Sequence, residues 1–337
     1  MMYVFFLLQL ETRGRQRPAT CPGQRRRGLS LVEILMSIFI VSIGLLGVAA
    51  LLPIAHHDSK QGTLDDLSAL VGKHAWRDFS IRRMNDTASW DFADPNGINL
   101  GFDANMIYVL DPLLITFRKD NPGPHDIGPF DNNSFSFRRI SLDYLNQLTF
   151  KQAANAAFDR FTSADDLVFT AAEATQDLPT QLYTSDIDAR RRQSYRRFSW
   201  LTTLVPDPTG PDVYRASFVI FHQRSLVPLG DNEHLLKAHL VGSGMSYGGV
   251  DARLETANNP ISALDISRND WIALVQQTQP ALRWFRVMRT AELDEGMLDV
   301  RLEGADVNLN EWAQPIAVLM KNVHAVYEKT IQLEHSQ

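Results

Sequence analysis

The chain is 337 residues long, 45% hydrophobic and 21% charged, with a formal net charge of −6. That length and apolar content allow one large core or two small ones and exclude a disordered or low-complexity chain. The charge is split: residues 1–28 hold six Arg and one Glu, so the remainder holds 27 basic and 38 acidic side chains and is net −11, which argues against nucleic-acid binding as its main task.

Residues 2–10 are apolar but too short to span a bilayer. They read as a stray signal-like segment or as the product of a start codon placed too far upstream, because residues 11–28 already form a complete basic leader. The only cysteine, Cys21, lies in that leader, so a chain that has lost it carries no thiol and no disulfide. Next comes Arg25-Arg26-Arg27-Gly28-Leu29-Ser30-Leu31-Val32-Glu33-Ile34-Leu35, and no charged residue occurs between Ile34 and Ala55. A single-pass anchor accounts for the arginines and the apolar run. It does not account for Glu33, since a carboxylate inside a membrane helix costs about 2.5–3.5 kcal/mol and needs a partner. Gly44 and Gly47 thin one side of the helix for close backbone approach, or are ordinary membrane-helix composition. Pro53 removes one helical hydrogen bond and is expected to bend the helix at the membrane exit.

This segment resembles the N-terminus of the type IV prepilin-like proteins, the pilins and the pseudopilins of type II secretion. The resemblance covers residues 25–60: a basic leader, Gly28, apolar Leu29, Ser30, two aliphatics, Glu33 and an aliphatic, all on the front of an apolar helix. Residues 42–49 look most like the minor-pilin branch labelled type IV pilus modification protein. The resemblance implies cutting between Gly28 and Leu29 by a prepilin peptidase on the cytoplasmic side, and glycine leaves that backbone open to the protease carboxylates. It implies methylation of the new amine on Leu29, a position where Phe is usual. It also implies that Glu33 pairs with the N-terminal amine of a neighbouring subunit. Two charges that are each costly in lipid become tolerable when paired. The plainer alternatives are an uncut anchor and self-neutralisation of Glu33 within its own helix. Implied partners are the peptidase, other pilin or pseudopilin subunits, an inner-membrane assembly platform and membrane lipid; no cofactor, metal or nucleic acid is expected. Implied localisation is the inner membrane, with the C-terminal part periplasmic, then the filament. Many pilins close a C-terminal loop with a disulfide, which this chain cannot form once its leader is gone.

Beyond His56-His57-Asp58 the pattern turns amphipathic. Leu64, Leu67, Val71, Ala75 and Phe79 recur at three- and four-residue steps. The spacing predicts one helix from Leu29 to about Met84, roughly 80 Å long, with its apolar stripe packed on a globular domain. Asn96-Gly97 marks a turn. Met106–Thr116 reads as a strand broken by Asp111-Pro112, and 119–133 as a loop. Ser134–Leu142 is a candidate strand, Lys151–Phe161 a helix and Asp166–Ala172 another strand. Phe198–Val205 and Tyr214–Gln223, separated by a Pro/Gly-rich turn, predict an antiparallel pair. Trp271–Gln276, Leu282–Arg289, Leu298–Leu302 and Ala317–Tyr327 are further strands, the second reading as an exposed sheet face. Residues 242–250 read as a flexible loop. No internal repeat or sustained heptad is present.

The expected fold is α+β: a long N-terminal helix, membrane-spanning in its first half and amphipathic in its second, on a mainly antiparallel sheet domain. The layout is 1–28 leader, 29–55 membrane and assembly helix, 56–84 its amphipathic continuation, and 85–337 the globular domain. Other constellations read blandly. His56, His57 and Asp58 are adjacent on a helix, about 100° apart, and converge poorly on one ion. Asp120, Asp126 and Asp131 lack EF-hand spacing. Arg190, Arg191, Arg192, Arg196 and Arg197 form a basic patch on an acidic domain. The sequence holds no His-Glu-x-x-His or phosphate-binding glycine loop. The expectation is a structural subunit, a minor one by the size of its globular part, and not an enzyme. The alternatives are a membrane-anchored extracytoplasmic binding protein that enters no filament, and an anchored enzyme.

Overall fold

The computed structural model describes residues 30–92, 101–119, 137–162, 167–168, 193–194, 198–224, 233–255, 266–276, 280–294, 297–312 and 315–335. The chain divides into two compact units, Met1–Lys60 and Gln61–Gln337. Helix α1, Leu31–Ile81, is a single 51-residue α-helix with Pro53 inside it. Of the helix expected from Leu29 to about Met84, Leu31–Ile81 is present as one helix; Leu29 lies outside the described residues. In the first unit every described residue of α1 is exposed, including the apolar run from Leu31 to Ile54. Apolar surface on that scale calls for lipid or other helices around it.

In the second unit the stripe on α1 does what its spacing predicts. Leu64 and Leu67 are partly buried, and Ser68, Val71, Gly72, Ala75 and Phe79 are buried. Then follow β1 (Trp90–Asp91), β2 (Ile107–Leu110), α2 (Pro112–Lys119), β3 (Phe137–Leu142), α3 (Asp143–Asn146) and α4 (Phe150–Phe161). Two short strands, β4 (Leu167–Val168) and β5 (Gln193–Ser194), pair with each other. The long strands β6 (Phe198–Pro206) and β7 (Val213–His222) form the antiparallel pair expected from their sequence. The next strands are β8 (Glu233–Val241), β9 (Met245–Ser246), β10 (Gly249–Glu255), β11 (Trp271–Val275), β12 (Leu282–Asp294), β13 (Met297–Glu303), β14 (Val307–Asn308) and β15 (Ile316–Met320). The last is β16 (Val323–Gln332).

These strands build two β structures. The first is a six-stranded sheet in the order β1-β3-β2-β6-β7-β16. It is antiparallel except for β2 and β3, which run parallel with α2 between them in the chain. The second is a closed six-stranded barrel, β10-β13-β12-β11-β15-β8, antiparallel throughout. The barrel is inserted between β7 and β16, which are neighbours in the sheet.

Side-chain alternation along the strands makes three cores. Phe198, Trp200 and Leu204 of β6 join Tyr214, Ala216, Phe218 and Ile220 of β7 on one sheet face. Val71, Ala75 and Phe79 of α1 and Phe158 and Phe161 of α4 pack against them. The intervening residues Leu201, Val205, Val219 and Phe221 face the barrel and meet Val275, Trp284, Ile316 and Val318 on its outer wall. Inside the barrel, Ala238, Ala252 and Ala317 leave room for Phe285, Leu254, Ile272 and Leu302. Register shifts in β12 at Val287/Arg289 and Glu292/Asp294 let this long strand curve around the wall. At Gly249 the backbone φ is +133°, and a β-carbon there would run into the Leu302 carbonyl of the paired strand.

Four expectations are corrected. Leu113–Thr116 is helical, because Pro112 takes the first position of α2 and Asp111 accepts the Leu114 N–H at 3.4 Å. Ala317–Tyr327 is two strands, turned at Lys321-Asn322 with Asn322 at φ +66°. Residues 242–250 are no simple loop, since Met245–Ser246 pairs with Val307–Asn308 and Gly249 opens β10. Leu282–Arg289 is not an exposed face: Trp284 packs toward the sheet while Phe285 and Val287 point into the barrel. Of Asp166–Ala172, strand structure is described at Leu167–Val168. Asn96-Gly97 and residues 120–133 lie outside the described residues.

Candidate functional site

The first turn of α1 is a reciprocal cap. Glu33 N–H donates to Ser30 Oγ at 3.2 Å, and Ser30 N–H donates to Glu33 Oε2 at 3.3 Å. This is the Ser-x-x-Glu capping box, which satisfies two amides that a helix start otherwise leaves without acceptors. Ser37 Oγ donates to the Glu33 carbonyl at 2.7 Å. The carboxylate also lies where the positive end of the helix dipole favours an anion. The sequence expectation singled out Glu33 and missed Ser30 as its partner, although the three-residue spacing was the signal.

Gly28, Leu29 and the basic residues Arg25, Arg26 and Arg27 lie outside the described residues. No heavy atom outside the local helix backbone and the adjoining residues comes within 4 Å of a β-carbon built on Gly44 or Gly47. His57 and Asp58 are exposed, with Nδ1 and Oδ1 3.7 Å apart. No cluster of three or more metal-ligating side chains occurs among the described residues. The aspartates 120, 126 and 131 and the arginines 190–192, 196 and 197 lie outside them.

Two polar constellations in the second unit were not foreseen. In the first, the guanidinium of Arg224 grips Asp111 with Nη1 on Oδ1 at 2.9 Å and Nη2 on Oδ2 at 2.6 Å. Arg139 donates to both oxygens of Glu233, at 3.0 and 3.1 Å, and its Nε lies 3.5 Å from Asp111 Oδ2. All four side chains are at most 5% exposed. Burial alone would raise the Asp111 pKa, but the charges of Arg224 and Arg139 outweigh it and hold the carboxyl below its usual range. The same pairing offsets the burial of Arg224 and raises its pKa. Two cations and two anions that satisfy one another tie β2, β3 and the two ends of the β7–β8 connection. They do not present a reactive group.

The second lies at the C-terminus. His335 stands between Thr87 Oγ1, 2.9 Å from Nδ1, and Asp212 Oδ1, 2.8 Å from Nε2. Hydroxyl, imidazole and carboxylate in that order are the groups of an acyl-transfer triad. Here the hydroxyl belongs to a buried threonine. The amides that could hold an oxyanion are engaged: Thr87 N–H donates to Glu334 O, Ala88 N–H to Asp86 Oδ1 and Ser89 N–H to Asp86 O. The arrangement fastens the tail instead, together with Leu333 N–H on Asp212 O at 2.8 Å and Glu334 N–H on Asn85 O at 2.9 Å.

No curated protein matches the chain. Residues 23–49 match the family described as the prokaryotic N-terminal methylation motif, a span that contains the Gly28–Leu29 junction, the Ser30–Glu33 cap and the start of the apolar run. That motif implies processing by a prepilin peptidase and assembly with other pilins, and it suggests a structural subunit rather than an enzyme. α1 is long and apolar enough to cross a membrane, which fits anchoring at the N-terminus. The N-terminal methylation motif and the long apolar helix that carries it support a type IV prepilin-like protein.

Proposed function

We propose that this chain is a minor subunit of a type IV pilus or a type II secretion pseudopilus. Its leader, residues 1–28, stays in the cytoplasm by the positive-inside rule and is removed between Gly28 and Leu29. The amine of Leu29 is then the methylated terminus. Residues 29–55 anchor the chain and later pack among other subunits, and Pro53 bends the helix where it leaves the membrane. Residues 56–84 carry the helix onto the globular domain, 85–337, on the periplasmic side. Glu33 pairs with the N-terminal amine of a neighbouring subunit and sets the register of assembly. The size of the globular domain favours a low-copy or tip position, where bulk does not block lateral packing. Its task is structural, not enzymatic.

The observation that carries this reading is the continuity of the matched motif with α1. Residues 31–49 of the matched span lie in α1, whose run from Leu31 to Ile54 is exposed and carries Glu33 as its one charged residue. The test is the intact mass and N-terminal sequence of the protein extracted from membranes that contain a prepilin peptidase. The expected first residue is Leu29, and Gly28→Val should block processing. A mature chain starting elsewhere overturns the proposal, and an uncut chain supports a membrane-anchored binding protein instead.

A further inference from the structure

The six-stranded sheet ends differently on its two sides. One edge is β1, two residues long; the other is β16, ten residues long and paired with β7 alone. Just past β16, Leu333 N–H donates to Asp212 O, on the β7 side. Glu334 faces the other way. Its N–H donates to Asn85 O at 2.9 Å and its carbonyl accepts Thr87 N–H at 3.0 Å, which makes a parallel bridge between Asp86 and Glu334. The Gln332 carbonyl accepts from Asn85 Nδ2 at 3.4 Å. Backbone groups alternate sides along a strand. Val326, Glu328 and Thr330 therefore also turn their N–H and C=O away from β7, about 6.8 Å apart. Among the described residues nothing bonds to those three pairs of groups.

Donors and acceptors at strand spacing match one kind of ligand, an extended backbone. The side chains exposed beside them are Glu328, Lys329 and Thr330. Among the described residues neither charge has an ion-pair partner: Glu328 Oε1 lies 3.5 Å from Ser217 Oγ, and Lys329 Nζ lies 5.9 Å from the centre of the Trp76 ring. Charges on an edge discourage indiscriminate pairing. They also disfavour a second copy. The antiparallel self-pairing that fills all three residues sets Val326 against Thr330 and Glu328 against Glu328, and like charges directly opposite are destabilising. We propose that the outer edge of β16 is a strand-addition site for an extended segment of a different polypeptide, with a basic side chain opposite Glu328 and an acidic one opposite Lys329. Such a segment continues the line that Asn85–Thr87 already begins at Glu334.

The experiment uses the full chain in detergent, with amide hydrogen exchange read residue by residue. The probe is the peptide Thr-Thr-Asp-Lys-Thr-Val-Thr, which sets its Lys opposite Glu328 and its Asp opposite Lys329 when it lies antiparallel along residues 325–331. The control peptide exchanges those two charges. Without peptide, the amides of Val326, Glu328 and Thr330 should exchange freely, while those of Tyr327 and Lys329, which face β7, are protected. With the probe at ten times its Kd, the three free amides should slow about tenfold, and the control should slow them less. The double variant Glu328→Lys/Lys329→Glu should reverse that preference. The proposal is overturned if the three amides are already protected in the free chain, because the chain then covers its own edge. Protection that grows with protein concentration alone means self-pairing and overturns it as well. So does unchanged exchange at about 5 mM probe, a level at which any Kd tighter than about 1 mM would show. Equal protection by both peptides, or a double variant that keeps the original preference, removes the charge match and with it the proposal.

Discussion

Gly72 of α1 and Tyr327 of β16 touch so closely that a β-carbon at position 72 would stand 2.5 Å from Cε2 and 3.2 Å from Cγ of the ring. The approach at Cγ means that the whole ring, and not only its tip, would have to move. Glycine inside a helix costs up to about 1 kcal/mol relative to alanine, so this position gives up helix propensity for close packing on the sheet. Overpacking a well-filled contact costs about 1–3 kcal/mol. Gly72→Ala should therefore destabilise the domain, lowering the thermal midpoint of a chain beginning at Ser59 by about 2–4 °C. Trimming the ring as well, in Gly72→Ala/Tyr327→Ala, should lose less than the two single changes added together.

The buried quartet predicts a pH dependence. The folded-state pKa of Asp111 is depressed, so its stabilising contribution is present above the unfolded pKa of about 3.9 and is lost as pH falls through the folded value. Asp111→Asn leaves Arg224 and Arg139 facing an uncharged amide in a buried site, at a cost of about 3–5 kcal/mol at neutral pH. Because the neutral amide does not titrate there, the gap between the two proteins should narrow on acidification. Urea unfolding at pH 7 and pH 3 measures it; a gap that stays constant between those values would mean that the carboxylate charge is not what the arginines hold.

The tail is fastened by packing and hydrogen bonds. Leu333 is 3% exposed, and its neighbours Glu334 and His335 bond to Asn85, Thr87 and Asp212. Removing residues 333–337 should cost at least the burial of Leu333, about 2 kcal/mol or more. His335→Ala should cost about 1–2 kcal/mol through two lost hydrogen bonds. Since Cys21 is the only cysteine in the chain, a chain beginning at Ser59 should melt at the same temperature with and without reductant. A midpoint that shifts with reductant would count against this account.

Substitutions at Glu33 separate charge from capping. Glu33→Ala loses both and should insert and be cut normally yet fail to enter filaments. Glu33→Gln keeps a capping acceptor without the charge and should be intermediate. Glu33→Asp keeps the charge on a shorter stem and should retain part of the function. Co-purification with the major pilin ranks the three; glutamine below alanine would contradict the order.

Legibility in the sequence followed the range of the interaction. α1 was readable because composition marks its first half and a three-to-four spacing marks its second. β6 and β7 were readable because each is a long apolar run and Pro206–Pro211 punctuates them. β8 was not readable: Leu236, Ala238 and Leu240 alternate with Lys237 and His239, a signal weakened by charge on the solvent side of the barrel. β10 was hidden behind glycines that a strand rarely tolerates, although Gly249 is needed where Leu302 passes. Barrel closure depends on β8 meeting both β10 and β15, some eighty residues apart for the second pair, and no local pattern encodes that. At the candidate site, Glu33 stood out as a charge in an apolar run. Ser30 was legible as a motif residue, and its three-residue spacing to Glu33 was the signal for the cap that went unread.

The placement of the barrel has a consequence for the order in which the protein can be completed. All six of its strands lie between Glu233 and Met320, so it can shut as soon as those residues are available. The sheet has to wait. A chain synthesised from its N-terminus offers β7, with Phe218, Val219, Ile220 and Phe221, long before Val323–Gln332 exists to lie alongside it. During that interval β7 has a bare apolar edge of the kind that recruits other strands. A stop codon after Met320 would thus give a finished barrel beside an open, adhesive sheet, and the last ten-residue strand is the keystone that ends the hazard.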